Sequence, residues 1–317
     1  MYKQFFGLRV SPFNVNPDPR YLFLTQSARE ALACLSYGIQ TRKGFILLTG
    51  EVGTGKTTLL NKLLEWLRMQ RVSTAFVFNP RLNVMEFFDF MMADFGIVCE
   101  ANAKGQTLMR LNQWLLDRYR NGETAALIID EAQSLSVDLL EEIRLLTNLE
   151  TSTEKLLQIV LSGQPELEQK LREPQLRQLR QRITLRCRTH PLTAEETSAY
   201  IAQRLRLAGS NGLPIFSPEA VEVIFQYAQG IPRVTNLLCE HALINAFVDQ
   251  KRPITADLIE EIALEFELND VPPLAAEPSR PGGENVTMLE AVRMFAARRK
   301  VTRAAHATEI SSEKKQS

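Results

Sequence analysis

The chain predicts an α/β fold: a doubly wound parallel sheet followed by a small all-helical domain. Three observations carry this. Apolar runs of strand length alternate with helical patterns between residues 45 and 188. Two of those runs, 125–130 (Ala-Ala-Leu-Ile-Ile-Asp) and 156–161 (Leu-Leu-Gln-Ile-Val-Leu), are almost wholly apolar, as parallel strands covered on both faces are. Past His190-Pro191-Leu192 the pattern turns to helices alone.

In chain order, residues 1–24 hold Phe5, Phe6, Phe13, Tyr21 and Phe23 among Pro12, Pro17 and Pro19. Proline fixes φ and removes a donor, so this segment is extended and turned. Its aromatics are expected to pack on the domain that follows. A helix is expected from Ser27 to about Ile39. Strands are expected at 45–49, 74–79, 125–130, 156–162 and 183–188. Helices are expected near 58–67, 84–96, 105–121, 136–150 and 165–180. The second domain takes helices near 194–208, 217–229, 233–249 and 255–267, with Ser217-Pro218-Glu219 as a capped start. The boundaries are 1–24 for the extended segment on the core, 25–190 for the α/β sheet domain, 191–269 for the helical domain and 270–317 for a linker and tail. Val271 to Gly283 is rich in proline and ends in Gly282-Gly283, which marks a linker. Beyond it, Val286, Leu289, Val292 and Phe295 share helical spacing, with Arg293, Arg298, Arg299, Lys300 and Arg303 nearby. That pattern suits a peripheral-membrane or partner-binding helix; the plainer expectation is a disordered basic tail.

At 317 residues the chain can hold two domains and a sizeable core. Lys plus Arg and Asp plus Glu balance at 37 each, so no global charge favours nucleic acid or an acidic partner. Cys34, Cys99, Cys187 and Cys239 are scattered without a C-x-x-C pair and are expected as reduced core thiols. They make no metal-ligand cluster with His190, His241 or His306. The first residues lack a signal-peptide apolar stretch, and no window approaches about 18 uninterrupted apolar residues. The expectation is a cytoplasmic protein without a transmembrane helix, any membrane contact being peripheral.

Gly50-Glu51-Val52-Gly53-Thr54-Gly55-Lys56-Thr57 fits G-x-x-x-x-G-K-[ST], the Walker-type phosphate loop, and Thr58 follows it. A strand before it and a helix after it are the context the motif requires. Glycines without Cβ atoms let backbone N–H groups close on phosphate oxygens, and the helix adds its unpaired N–H groups and positive dipole end. Lys56 supplies a charge for the β- and γ-phosphates, and Thr57 a hydroxyl for Mg²⁺. The implied cofactors are ATP and Mg²⁺.

Leu127-Ile128-Ile129-Asp130-Glu131 places two carboxylates where a buried strand ends. Asp130 is expected to hold Mg²⁺ and Glu131 to polarise the attacking water. The plainer reading is a pair of acids at a helix start. Gln164 follows the next apolar strand and is a candidate to sit between Glu131 and the γ-phosphate; Ser162 is the alternative, and an ordinary polar strand end is the third. Arg177, Arg180 and Arg182 precede the last strand. One of them, with Arg182 preferred, is a candidate to reach a neighbouring subunit's γ-phosphate, against the plainer reading of a solvated basic helix end. Gly230-Ile231-Pro232-Arg233 opens a helix, and a cation there opposes the dipole unless it meets an anion. Arg233 is therefore expected to touch the γ-phosphate.

These residues together resemble the AAA+ ATPases, over roughly residues 25–267. The resemblance implies a P-loop NTPase sheet domain and a helical lid, Walker A at 50–57, Walker B at 127–131, a sensor-1 position at Gln164, finger arginines at 180–182 and a sensor-2 arginine at Arg233. A narrower likeness rests on Phe5-Phe6-Gly7-Leu8, Pro12-Phe13, Pro17-Asp18-Pro19-Arg20-Tyr21-Leu22-Phe23, the Gly50–Thr58 stretch, Asp130-Glu131-Ala132-Gln133 and Gly163-Gln164-Pro165-Glu166-Leu167. Those segments resemble the ExeA (GspA) family, ATPases of the general, type II secretion pathway and of related pilus and exopolysaccharide export systems. The resemblance implies an amino-terminal segment near the adenine. Secretion members often continue into a membrane span and a periplasmic peptidoglycan-binding domain; this sequence shows neither, which sets the expectation of a soluble partner role. The leading expectation is an ATP-hydrolysing protein that forms a homo-oligomeric ring or filament and assembles or remodels a bacterial secretion or export complex. The same core resembles ATPases that serve DNA transposition, so a DNA-binding transposition or DNA-loading factor is the rival. The balanced charge weighs against it and the basic stretches 172–188 and 293–303 weigh for it. A nucleotide-gated scaffold with little turnover is the third reading.

Overall fold

Leucine, isoleucine, valine and alanine dominate the five runs that become strands. The computed structural model describes residues 1–14, 16, 18–78, 82–98 and 103–268. The expected linker, basic helix and tail beyond 270, with His306, lie outside the described residues, as does Cys99. The strands are β1 (Phe45–Thr49), β2 (Val72–Val77), β3 (Thr124–Ile129), β4 (Leu157–Gly163) and β5 (Ile183–Arg188). They form one parallel sheet in the order β2-β3-β4-β1-β5. Register runs Phe45 to Ile159 and Thr49 to Gly163 between β1 and β4, and Ile129 to Leu161 between β3 and β4.

Every residue of β1, β3 and β4 is buried, which is why these runs lack polar alternation. The one long polar side chain among them, Gln158, is satisfied: it accepts from the Gly44 N–H at 2.8 Å and donates to the Lys155 carbonyl at 2.8 Å. The edge strand β5 alternates, turning Thr184, Arg186 and Arg188 outward, and such charge discourages pairing with another chain's edge. On one face Phe87, Phe88 and Met91 of the helix Val84–Asp94 and Leu111 and Leu115 of the helix Lys104–Arg120 share a core with Leu127, Ile129, Ile159 and Leu161. Each such side chain contributes about 1.5–3 kcal/mol by leaving water. Local chemistry sets the helix starts. Asn83 and Glu86 form a reciprocal capping box, and Ser136 accepts from the Leu139 N–H before the helix Val137–Leu146.

By its contacts the chain divides into two compact units: Gln26–Gly50 with Lys62–Arg188, and Met1–Thr25 with Glu51–Asn61 and the described residues from Thr189 onward. The second unit is helical. Ala194–Leu207, Pro218–Ala228, Pro232–Val248 and Ala256–Glu265 pack around Ile201, Ile224, Leu238, Leu243 and Ile259. The amino-terminal segment belongs to this core, with Phe6, Leu8 and Phe13 buried in it. The expectation that its aromatics pack on the domain next in sequence is thereby corrected. Polar ties reinforce the apolar ones. Buried Arg204 donates to the Pro12 carbonyl at 2.8 Å and lies 4.6 Å from the Tyr21 ring centre. Tyr2 donates to Glu240 at 2.6 Å, and burial together with that carboxylate pushes the phenol up to about 12.

Two further expectations change. The helix over 165–180 is broken into Pro165–Lys170, a 3₁₀ turn at Pro174–Leu176 and Arg177–Arg182. Pro174 explains the break, since it lacks an N–H and its ring collides with the preceding turn. The reduced state expected of all four cysteines is also corrected: Cys34 of the helix Gln26–Gln40 is disulfide-bonded to Cys187 of β5. Cys239 is a free thiol in the helical core, where burial pushes it well up from its ordinary value. Among the described residues no helix is long and apolar enough to cross a membrane, and no group of three or more His, Cys, Asp or Glu could hold a metal ion.

Candidate functional site

β4 lies between β3 and β1, so the carboxyl ends of these three strands share one edge of the sheet. Gly50, the residue after β1, donates its N–H to the Gly163 carbonyl at 3.3 Å and joins two of those ends. Behind them Thr49 donates to Glu168 at 2.7 Å, and Arg188 donates to the same carboxylate at 3.0 Å. Burial raises the Glu168 pKa, but these two hydrogen bonds and the Arg188 charge outweigh it and leave the group below its ordinary value.

The chain then turns through the glycine loop. Gly53 and Gly55 have φ of +79° and +90°, values that side-chain-bearing residues rarely adopt. The Thr54 N–H and hydroxyl both donate to the Glu51 carbonyl, at 3.3 and 2.8 Å. Lys56 Nζ donates to the same carbonyl at 2.9 Å, and the residue is only 5% exposed. The helix Lys56–Arg68 starts there, with Thr57 and Thr58 half-buried in its first turn and Val52 exposed on the loop. A buried ammonium and a positive dipole end within one turn suit a polyanion. The turn before Pro232 meets this loop. Arg233 donates its N–H to the Gly53 carbonyl at 3.4 Å, and a Cβ on Gly53 would lie 2.8 Å from Arg233 Cβ and 2.9 Å from Ile231 Cγ2. The Arg233 side chain is exposed. Thr189 also joins the loop, with its hydroxyl 2.8 Å from that of Thr54.

At the tip of β3, Asp130 is buried and accepts from Ser162 at 2.8 Å and from the Glu131 N–H at 3.0 Å. Glu131 sits in the left-handed region with φ +54°. Its Oε2 accepts from Gln164 Nε2 at 3.2 Å and from Gln133 Nε2. The structure thus brings Glu131 and Gln164 together, and places Ser162, the alternative, on Asp130. Gln133 and Thr189 escaped the sequence reading as site residues. Gln133, two positions past the acids, carried a faint signal; Thr189, at a strand end, carried none.

The two finger candidates differ in what holds them. Arg182 donates through Nη1 to the Arg144 carbonyl at 3.3 Å, to Asn148 at 2.8 Å and to the Thr147 hydroxyl. It caps the carboxyl end of the helix Val137–Leu146, where a cation complements the dipole. Arg180 is exposed. Arg182→Ala is therefore expected to destabilise the sheet domain by about 1–2 kcal/mol, read as a lower urea midpoint.

Residues 39–171 match the family model described as "AAA domain". The chain is 46% identical over 248 residues to general secretion pathway protein A of Aeromonas hydrophila. That match takes in 78% of this chain and 45% of the relative, so the chain spans about half the length of the curated protein it matches. Among solved structures, the Aeropyrum pernix ORC2 protein superposes with a TM-score of 0.61 at 19% identity, covering 82% of this chain and 74% of that one. Cdc6p from Pyrobaculum aerophilum superposes with a TM-score of 0.61 at 18% identity, covering 76% and 66%. At that identity these two speak for the fold alone, and the fold is that of P-loop AAA+ proteins. The matching domain and the secretion relative agree: residues 39–171 carry an AAA domain, and the chain is similar to general secretion pathway protein A over 78% of its length.

Proposed function

We propose that this chain binds ATP with Mg²⁺, hydrolyses it, and uses the cycle to assemble or remodel a secretion or export complex. The observation that carries the catalytic part is the Glu131 carboxylate, held by two amide donors beside buried Asp130, on the strand-end edge from which the glycine loop departs. The residues fit a magnesium nucleotide: the loop supplies left-handed glycines, a buried ammonium and hydroxyls, and the tip of β3 supplies a buried carboxylate, which together are the appropriate donor types. The N–H groups of Glu51 to Thr57, with the Lys56 ammonium, bind the phosphates. Thr57 and Asp130 would hold the metal, and Thr58 supports the first helical turn. The bound metal would neutralise charge on the phosphate oxygens. Glu131 takes the proton of the attacking water, Gln164 holds Glu131 in place, and Arg233 adds positive charge to the phosphates.

In an assembled ring or filament, an arginine from the adjoining copy would complete the site. Arg182 is already engaged at a helix end, so the support moves to exposed Arg180. Arg180→Ala is expected to lower turnover in the assembled protein by about 10³-fold or more while leaving ATP binding unchanged. A rate unchanged at assembling concentrations removes it as the finger. The secretion role is drawn from the name of the Aeromonas relative, and action on the cytoplasmic side follows from where ATP is found.

Lys56→Ala tests the nucleotide reading. Titration with a fluorescent ATP analogue should show binding to the wild type and at least a 100-fold weaker affinity in the variant, the ammonium being a direct phosphate ligand. Equal affinity overturns the loop assignment. The DNA-loading reading draws on Arg172, Arg177, Arg180, Arg186 and Arg188, all exposed. DNA-stimulated hydrolysis with a steep salt dependence would favour it over the secretion role.

A further inference from the structure

We infer that Gln133 is the positioning residue for the Glu131 carboxylate, a role that rests on Glu131 being the base proposed above. Glu131 occupies a left-handed backbone conformation, φ +54° and ψ +35°. For a residue with a Cβ this costs about 1–3 kcal/mol and persists only where the surroundings over-determine it. Here the surroundings are specific. The Glu131 N–H is taken by Asp130 Oδ1 at 3.0 Å, and the carboxylate by Gln133 and Gln164.

Gln133 works at both ends of its amide. Its Oε1 accepts the backbone N–H of Gln164 at 3.1 Å, so its Nε2 is the end that faces Glu131. One side chain therefore ties the tip of β3 to the residue that follows β4. The space for it exists because position 163 is glycine: a Cβ there would lie 2.7 Å from Gln133 Oε1. The backbone is pinned too, since Lys170 Nζ donates to the Gln133 carbonyl at 3.2 Å and to that of Leu135. Both amides converge on Oε2, and among the described residues no side-chain donor reaches Oε1. Glu131 thus keeps one anchored oxygen and one to take the proton. Remove Gln133 and Gln164 loses a backbone partner while Glu131 loses a donor, so the base and its second clamp drift together. A displacement of about 1 Å in such a group costs about 10²-fold in rate.

Four chains test this: wild type, Gln133→Ala, Glu131→Gln and the double variant. Turnover of radiolabelled ATP and affinity for a fluorescent ATP analogue are measured for each. Gln133→Ala should lower kcat about 10–100-fold with KM and analogue affinity within about twofold of wild type. In the Glu131→Gln background the same change should cost nothing further, because Gln133 acts through the residue already disabled. Gln133→Met keeps the side-chain length without either amide bond, and should give the same pattern if the alanine variant fails to fold. A kcat within threefold of wild type in both Gln133 variants overturns the inference. So does an equal fold-loss in both backgrounds, which marks a role in structure alone. Wild-type turnover by Glu131→Gln instead overturns the base assignment, and the inference with it.

Discussion

Glu131→Gln is expected to bind ATP with wild-type affinity and to release phosphate about 10²–10⁴-fold more slowly, the span general-base catalysis supplies. The amide is nearly isosteric with the carboxylate, so the backbone at φ +54° and the neighbouring Asp130–Ser162 pair are left in place. What changes is chemistry at two atoms. The side chain no longer takes a proton at water's pH, and its new NH₂ faces donors at Gln133 and Gln164 where a carboxylate oxygen accepted before. The amide can turn to present its oxygen to them, so stability is expected to fall by no more than about 1 kcal/mol. Paired binding and phosphate-release measurements check this. Unimpaired release with normal affinity would mean that another group activates the water.

The largest stability effect is expected at a glycine that does no chemistry itself. Gly230→Ala should destabilise the helical unit by at least about 3 kcal/mol. Gly230 has φ +72°, and an added Cβ would lie 2.0 Å from the Leu192 carbonyl oxygen and 2.9 Å from the Leu192 N and C. The obstacle is backbone, which is itself fixed, since the Leu192 N–H donates to the Gly230 carbonyl at 2.8 Å. Neither side can yield without losing that bond or the entry into Pro232–Val248, the helix that carries Arg233. Gly212 is the control: φ is +89°, but nothing lies within 4 Å of an added Cβ. Gly212→Ala should show only the backbone term, about 1–2 kcal/mol. Urea denaturation of both variants separates the two, and similar losses would contradict the steric account.

The sheet was legible because its signals are local. Uninterrupted apolar runs at Phe45–Thr49 and Thr124–Ile129 have few other uses, and the glycine loop between the first of them and a helix is equally plain. The edge strand Val72–Val77 is less apolar, and its expected range, 74–79, sat two residues too far along. What the sequence hid is pairing at a distance. Cys34 and Cys187 lie 153 positions apart, and no spacing rule joins them. Phe6 and Phe13 read equally well as packing on the next domain; Ala208, which accepts the Arg9 N–H at 2.7 Å, and Arg204, which holds Pro12, decide otherwise. Arg182 and Arg180 look alike in sequence, and only the carboxyl end of Val137–Leu146 distinguishes them. Gln133 follows the same logic, since its partner Gln164 is brought near by the alignment of β3 with β4.

The most direct measurement is phosphate release by the wild-type chain supplied with ATP, with and without Mg²⁺. Steady, magnesium-dependent release that Lys56→Ala abolishes is the expected result. ATP that binds tightly yet stays intact in the presence of the metal would contradict it, and would leave a protein that senses nucleotide without spending it.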